Sequence, residues 1–242
     1  MALLAVGGIS YLIGRAIGSI GNSGSSRAAT SQSPSTKPAP TVPADPSASA
    51  LTTLGLKQSD VTGSYSIALI PHGNQVAGQA TLDLCNGTYP SEKLRRARLQ
   101  VAAVNQQGNS ALSTEAVLYA TPADAAQAIA EVRAKAASCP NSPVVSPVGE
   151  PTVTTKFNAP PDGAWPSVPG VDRAAYDFVT TDSSGKSSPS VAVYLRRGRA
   201  LLGIYFPAPD TPPSIGGQNT IEGVVNLFAT RMAQLPTSVT GG

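Results

Sequence analysis

The sequence predicts an α+β domain built on a mostly antiparallel sheet. Three observations carry this reading. Short strand-like runs follow one another across tight, turn-forming stretches. Only two segments show strong helical signals, one mid-chain and one C-terminal. Hairpin connections dominate, so neighbouring strands pair antiparallel, and the two helices are expected to pack on one face of the sheet.

The chain opens with "MALLAVGGISYLIGRAIGSI", apolar from Ala2 to Gly14 and then interrupted by Arg15. A run of that length matches the apolar core of a signal peptide, and reading on to Ile20 gives a marginal membrane span. Residues 1–20 are therefore expected to be a signal peptide or membrane anchor, although no basic stretch precedes the run and no small-x-small cleavage site follows it closely. No cysteine lies here, which excludes a lipid-anchored lipoprotein start. The next segment, 21–50, reads "GNSGSSRAATSQSPSTKPAPTVPADPSASA" and has no apolar period. Too polar to offset its ordering entropy, it is expected to be a disordered Pro/Ser/Thr-rich linker.

Folded signals begin at Leu51, and a single domain is expected over 51–236 with a flexible tail over 237–242. A short helix from Leu54 is expected to end before Gly63. Runs 64–70 and 77–84 flank the turn-rich "PHGNQV" and predict a hairpin. Along 94–104, Ala97, Leu99, Val101 and Ala103 alternate with Arg96, Arg98 and Gln100. This predicts a strand with one apolar face and one solvated basic face. "NQQGNS" then turns the chain into a partner strand at 111–119, where Glu115 is placed to meet the arginines.

"TPADAAQAIAEVRAKAASCP" carries the clearest helix start. Thr121 suits the N-cap, Pro122 the first turn, and Asp124 the exposed amides and the dipole. Ala125, Ile129, Val132 and Ala136 mark its buried stripe, and Pro140 stops it. A short strand is expected at 153–157, and three more at 174–181, 190–197 and 200–206. Their turns fall at Asp182-Ser183-Ser184-Gly185 and at Arg197-Gly198. Ile221, Val224, Val225, Phe228, Met232 and Leu235 then recur at helical spacing after Thr220, an amphipathic C-terminal helix.

Composition narrows the function classes. Charged residues are 13% of the chain, aromatics 5%, and the net charge is +3. Ordinary domains carry about 25% charged residues. Apart from "KLRRAR" there is no basic stripe, and nothing interleaves it with aromatics, so nucleic-acid binding is not expected. "SSGKSS" lacks the leading glycine of a phosphate loop, because Thr180 holds that position, and a proline and a strand follow instead of a helix. The only histidine, His72, falls in a predicted turn, and any triad chemistry would have to run through it. Asp83, Glu92 and Glu115 each have a basic neighbour as a simpler partner than another carboxylate. No cofactor is expected. Asn86-Gly87-Thr88 matches the glycosylation sequon.

Cys85 and Cys139 are the only cysteines. Their spacing fits neither a CxxC redox pair nor a zinc tetrad, and a helix C-terminus disfavours a thiolate at Cys139. A structural disulfide in an exported chain remains.

Five features in chain order resemble a known family. They are "LKQSDVTG", "LCNGTY", "STEAVLYATPADAAQAIAEVRAKAASCP", "VAVYLRRGRALLGIYF" and "IEGVVNLFATRMAQLP". Together they are similar to the extracellular sensor domain of the mycobacterial serine/threonine kinase PknH and its secreted or lipoprotein relatives, over about 51–235. The resemblance implies an antiparallel α+β domain with helices, a cleft for an extracellular ligand, and a Cys85–Cys139 pairing. Two departures stand out: the second disulfide of that family has no counterpart here, and no kinase domain is present.

The expected function is a non-catalytic, ligand-binding or sensor-like domain of the cell envelope, extracellular and either membrane-anchored or secreted. Its partner would be a small ligand or envelope component, with the N-terminal segment contacting the membrane. Arg96, Arg98, Tyr119, Trp165, Tyr194 and Arg196 are the candidate ligand-binding residues, since arginine and aromatic groups dominate recognition. The alternatives are an envelope scaffold acting through its sheet face or C-terminal helix, and a hydrolase acting through His72.

Overall fold

A computed structural model describes residues 45–147, 149, 151–158 and 167–241. The apolar segment 1–20, nearly all of the spacer and Trp165 lie outside the described residues. Among those described, no helix is long and apolar enough to cross a membrane.

Strands β1 (Tyr65–Leu69), β2 (Arg95–Asn105), β3 (Ser110–Tyr119), β4 (Val144–Val145), β5 (Thr152–Phe157), β6 (Asp172–Asp182), β7 (Ser187–Arg197) and β8 (Ala200–Phe206) form one sheet. Their order is β1-β2-β3-β8-β7-β6-β5-β4, and every neighbouring pair is antiparallel. The helices are α1 (Leu51–Leu54), α2 (Pro122–Ala137), α3 (Ile221–Ala233) and α4 (Thr237–Thr240). The α+β class read from the sequence therefore holds.

The two long helices start where their caps place them. Thr121 Oγ1 accepts from the Asp124 amide (3.2 Å) while Asp124 Oδ2 accepts from the Thr121 amide (2.9 Å), a reciprocal capping box ahead of α2. Thr220 Oγ1 accepts from the Gly223 amide (3.1 Å) and opens α3. They do not share a face of the sheet, as the sequence reading expected. Val224, Val225, Phe228 and Met232 of α3 pack with Leu51 and Leu54 on one side, against Leu112, Ala116, Val193, Leu195, Leu202 and Ile204. Ala125, Ile129 and Val132 of α2 pack on the opposite side, against Val117, Tyr119, Ala192, Tyr194 and Leu201. Alternation along each strand makes both faces of the central strands apolar, so each face needs its own cover. Neither face of the central strands is left open.

Three local expectations are corrected. Residues 77–84 do not form a strand, and β1 pairs instead with β2, Leu69 opposite Val101 and Tyr65 opposite Asn105. The consecutive amides of Thr81 and Leu82 both donate to the Glu92 carboxylate (2.8 and 3.1 Å), which an extended strand with alternating amides cannot do. The first helix ends rather than begins at Leu54, because Gly55 turns to extended geometry.

Packed chain also reaches beyond both expected domain boundaries. Asp45 is held by Arg199 (Nη2 to Oδ1, 3.0 Å), while Val239 and Thr240 of α4 are buried rather than part of a flexible tail. Residues 45–50 are thus part of the folded unit. The outer edge of β1 is closed by one side chain. Gln58 accepts from the Ile67 amide (2.9 Å) and donates to the Tyr65 carbonyl (3.4 Å), a guard against pairing with another chain.

Cys85 and Cys139 are disulfide-bonded, with Cα atoms 5.8 Å apart and a sequence separation of 54. The bond ties the turn at Leu84–Asn86 to the end of α2, on the face that α2 covers. Cys85 and Asn86 both have positive φ, 60° and 51°. Asn86 is buried and donates its amide to the Val144 (2.8 Å) and Pro151 (2.9 Å) carbonyls, so the sequon asparagine is an interior strut.

Replacing both cysteines by serine should cost about 4 kcal/mol, the chain-entropy value for a loop of this size. The fall in urea midpoint measures it. Amide exchange should rise first at 84–94 and at the last turn of α2.

Candidate functional site

Three arginines in the short basic run, Arg95, Arg96 and Arg98, diverge at one irregularity of β2. Arg95 lies opposite Tyr119 and Ala97 opposite Leu118, so Arg96 is the extra residue of a bulge. Arg95 and Arg98 are buried, and Arg96 is exposed. The solvated basic face expected from the alternation is therefore an interior face, covered by residues 70–94.

Arg98 forms a salt bridge through Nε with Glu115 and donates through Nη2 to Gln100 Oε1 (2.6 Å). Its Nη1 donates to the carbonyls of His72 (3.0 Å) and Gln75 (3.4 Å). Arg95 pairs with Glu92 (3.0 Å) and donates to Thr81 Oγ1 (2.6 Å), the Glu92 carbonyl (2.8 Å), the Val76 carbonyl (3.3 Å) and the Gln79 carbonyl. Thr81 Oγ1 in turn donates to Glu115 (2.7 Å). One buried polar network thus binds the irregular segment to the sheet. Burial pushes the Glu92 and Glu115 carboxyls above the usual carboxylate range, against the pull of Arg95 and Arg98 respectively.

Asp83 lies beside that network without such a partner. Its Oδ1 is buried and makes no hydrogen bond among the described residues, and it lines a cavity of about 10 Å³ with Thr155, Thr180 and Phe178. Burial, then the charges of Glu115 and Glu92, raise its carboxyl from 3.8 to about 8. The neutral acid is the form this fold holds.

The remaining expected binding residues do not converge. Tyr119 and Tyr194 are both 0% exposed and belong to the core. Tyr194 stacks edge-on with Tyr176 and Tyr205 at 6.5 and 6.0 Å. The Tyr205 hydroxyl occupies the space a side chain at Gly203 would need. Arg196 approaches Asp172 (3.5 Å), which also pairs with Arg133 (2.6 Å). Partial burial opposes these arginines, yet they hold the Asp172 carboxyl below its usual range. Trp165 lies outside the described residues. His72 is exposed with a positive φ of 60°.

Arg96 and Arg98 do meet at one open cleft of about 300 Å³, lined also by Asp45, Leu51, Thr52, Asn74, Val76, Ala97 and Leu99. It lies where β1 stops: β1 pairs with β2 only from Val101 onward, and Ile70 and Gly73 extend the bonding only to Gln100. That Asp45, Thr52 and Asn74 share a cleft with Arg96 was not legible, since Asp45 and Asn74 lie in irregular chain and Thr52 in a single helical turn, all too short to show a period. A second cleft, about 270 Å³, opens between α3 and the start of β6, lined by Val168, Val171, Asp172, Arg173, Leu195 and Val225 among others. Among the described residues no group of three or more His, Cys, Asp or Glu is placed to hold a metal ion.

No family model matches the chain. No curated protein matches it either. Among solved structures, the extracellular domain of PknH from Mycobacterium tuberculosis is similar at a TM-score of 0.41 and 11% identity, covering 76% of this chain and 93% of that one. This is a weak likeness at the level of fold, and no residue role passes across it.

Two outcomes check the network. Arg98→Leu leaves Glu115 buried without its cation and should cost about 3–5 kcal/mol in chemical denaturation. Asp83→Asn should stabilise the protein most near pH 8, with the gain shrinking toward pH 5. A raised folded-state pKa contributes stability that is complete below about 3.8 and is lost as pH rises through about 8. Urea midpoints of the two proteins across that window measure the effect.

Proposed function

We propose that this chain is an exported, disulfide-stapled binding domain of the cell envelope, tethered by its N-terminal apolar segment, that takes a ligand in the cleft beside Arg96. The export reading is supported by the Cys85–Cys139 bond, since such staples persist in oxidising compartments. The binding reading is carried by one observation. A bulge in β2 turns a single arginine of the basic run away from the interior network and onto the wall of an open, mainly apolar cleft. Bulges beside recognition sites re-aim side chains in this way, and such a cleft sits at the lower end of the size range of small-molecule sites, about 300–1,000 Å³. The domain is read as non-catalytic, a sensor or receptor module.

Mass spectrometry of the non-reduced exported protein tests the compartment, with the Cys85–Cys139 peptide pair expected to be linked. Thermal-shift screening of the full chain against small envelope metabolites tests the site. Compounds that raise Tm in the native protein should lose that effect in Thr52→Trp and Asn74→Trp, which fill the cleft from exposed positions. Equal shifts in the filled variants would place binding elsewhere.

A further inference from the structure

We infer that the cleft beside Arg96 selects a small amphipathic anion, with a carboxylate or phosphate head on the Arg96 guanidinium and an apolar body against Leu51, Val76 and Leu99; this rests on the binding reading of the same cleft. Charge accounting across the lining supplies the argument. The other charged groups there are already matched. Arg98 is ion-paired with Glu115 and also donates to the Gln100 side chain and the His72 and Gln75 carbonyls. Asp45 is held by both Nη atoms of Arg199 (2.5 and 3.0 Å) and accepts from the Ser47 amide (2.8 Å). Arg199 and, more weakly, Arg96 hold the Asp45 carboxyl below its usual range, so it stays ionised and paired. Arg96 alone has no hydrogen-bonded or ion-paired partner among the described residues.

The cleft therefore carries one surplus positive charge beside carbon-rich walls. Leu51, Ala97 and Leu99 come from the apolar face of β2 and from α1, and Ala48 and Val76 complete the wall. The planar guanidinium offers two parallel donors to a carboxylate or phosphate, and partial withdrawal from water strengthens that contact. An uncharged hydrocarbon leaves Arg96 unpaired, and a bare anion leaves the apolar wall wet. The arrangement thus favours molecules that carry both parts.

Isothermal titration calorimetry on the full chain tests this with octanoate, octyl phosphate, octanol, acetate and inorganic phosphate. Octanoate and octyl phosphate are expected to bind saturably at one site, and at least tenfold more tightly than octanol, acetate or inorganic phosphate. Arg96→Ala should weaken both about tenfold, Arg96→Lys should recover part of the loss, and Thr52→Trp should abolish binding. Co-sedimentation with phosphatidylglycerol/phosphatidylcholine vesicles separates the sources: pelleting that depends on Arg96 assigns the anion to a lipid headgroup, and soluble binding alone to a free molecule. Either result supports the anion. Octanoate binding that is unchanged in Arg96→Ala but lost in Thr52→Trp overturns the anion inference and leaves the cleft intact. No saturable binding of either charged probe to a protein with native Tm also overturns it. Binding that survives Thr52→Trp overturns the site itself.

Discussion

The buried Arg98–Glu115 pair is the contact on which the organisation of this domain turns. Residues 70–94 cross one face of the sheet with little regular hydrogen bonding of their own, and a covered backbone must place its carbonyls somewhere. Arg98 and Arg95 take those of His72, Gln75, Val76, Gln79 and Glu92, while the Glu92 carboxylate takes the Thr81 and Leu82 amides. Two guanidinium groups thus do for this segment what a neighbouring strand does for a hairpin. Their desolvation consumes most of what their pairing returns. The consequence is positional: the segment has one path that leaves no donor or acceptor of the network stranded.

That path explains the rest of the covered face. It brings Cys85 to the end of α2, where the disulfide closes the layer, and it carries Asn86 under β4 as a strut between Val144 and Pro151. It places Asp83 where no cation remains to answer it, next to two other carboxylates, so the protonated form is preferred. On the opposite face a similar ion pair works at larger scale. Arg231 of α3 grips Asp60 through both Nη atoms (2.8 and 2.5 Å) and lies over the Phe228 ring (5.1 Å), locking the N-terminal turns to the terminal helix.

The helices were legible in detail because their signals are local. Thr121, Pro122 and Asp124 act within one turn of chain, and the stripe from Val224 to Met232 needs only the period of the helix. Strands β6, β7 and β8 were legible for the same reason, with Gly185 and Gly198 at positive φ in their turns. The alternation in β2 was read correctly as a strand, but the meaning of its second face was not. Arginine and glutamine at alternate positions look identical whether water or a folded loop lies over them. Residues 77–84 misled in the opposite sense: buried Leu82 and Leu84 share a spacing that suits a strand, yet Glu92 captures the consecutive amides of Thr81 and Leu82.

The sequence by itself determined the class of fold, the caps and stripes of both long helices, the late hairpins, and the pairing role of the only two cysteines. Each depends on interactions between near neighbours or on a count of residues. Only the tertiary structure decided which side of the sheet each helix covers, that Tyr119 and Tyr194 are core rather than binding residues, and which of three adjacent arginines meets solvent. Those outcomes depend on what lies across the sheet, and one inserted residue at Arg96 reverses the side on which every following side chain emerges.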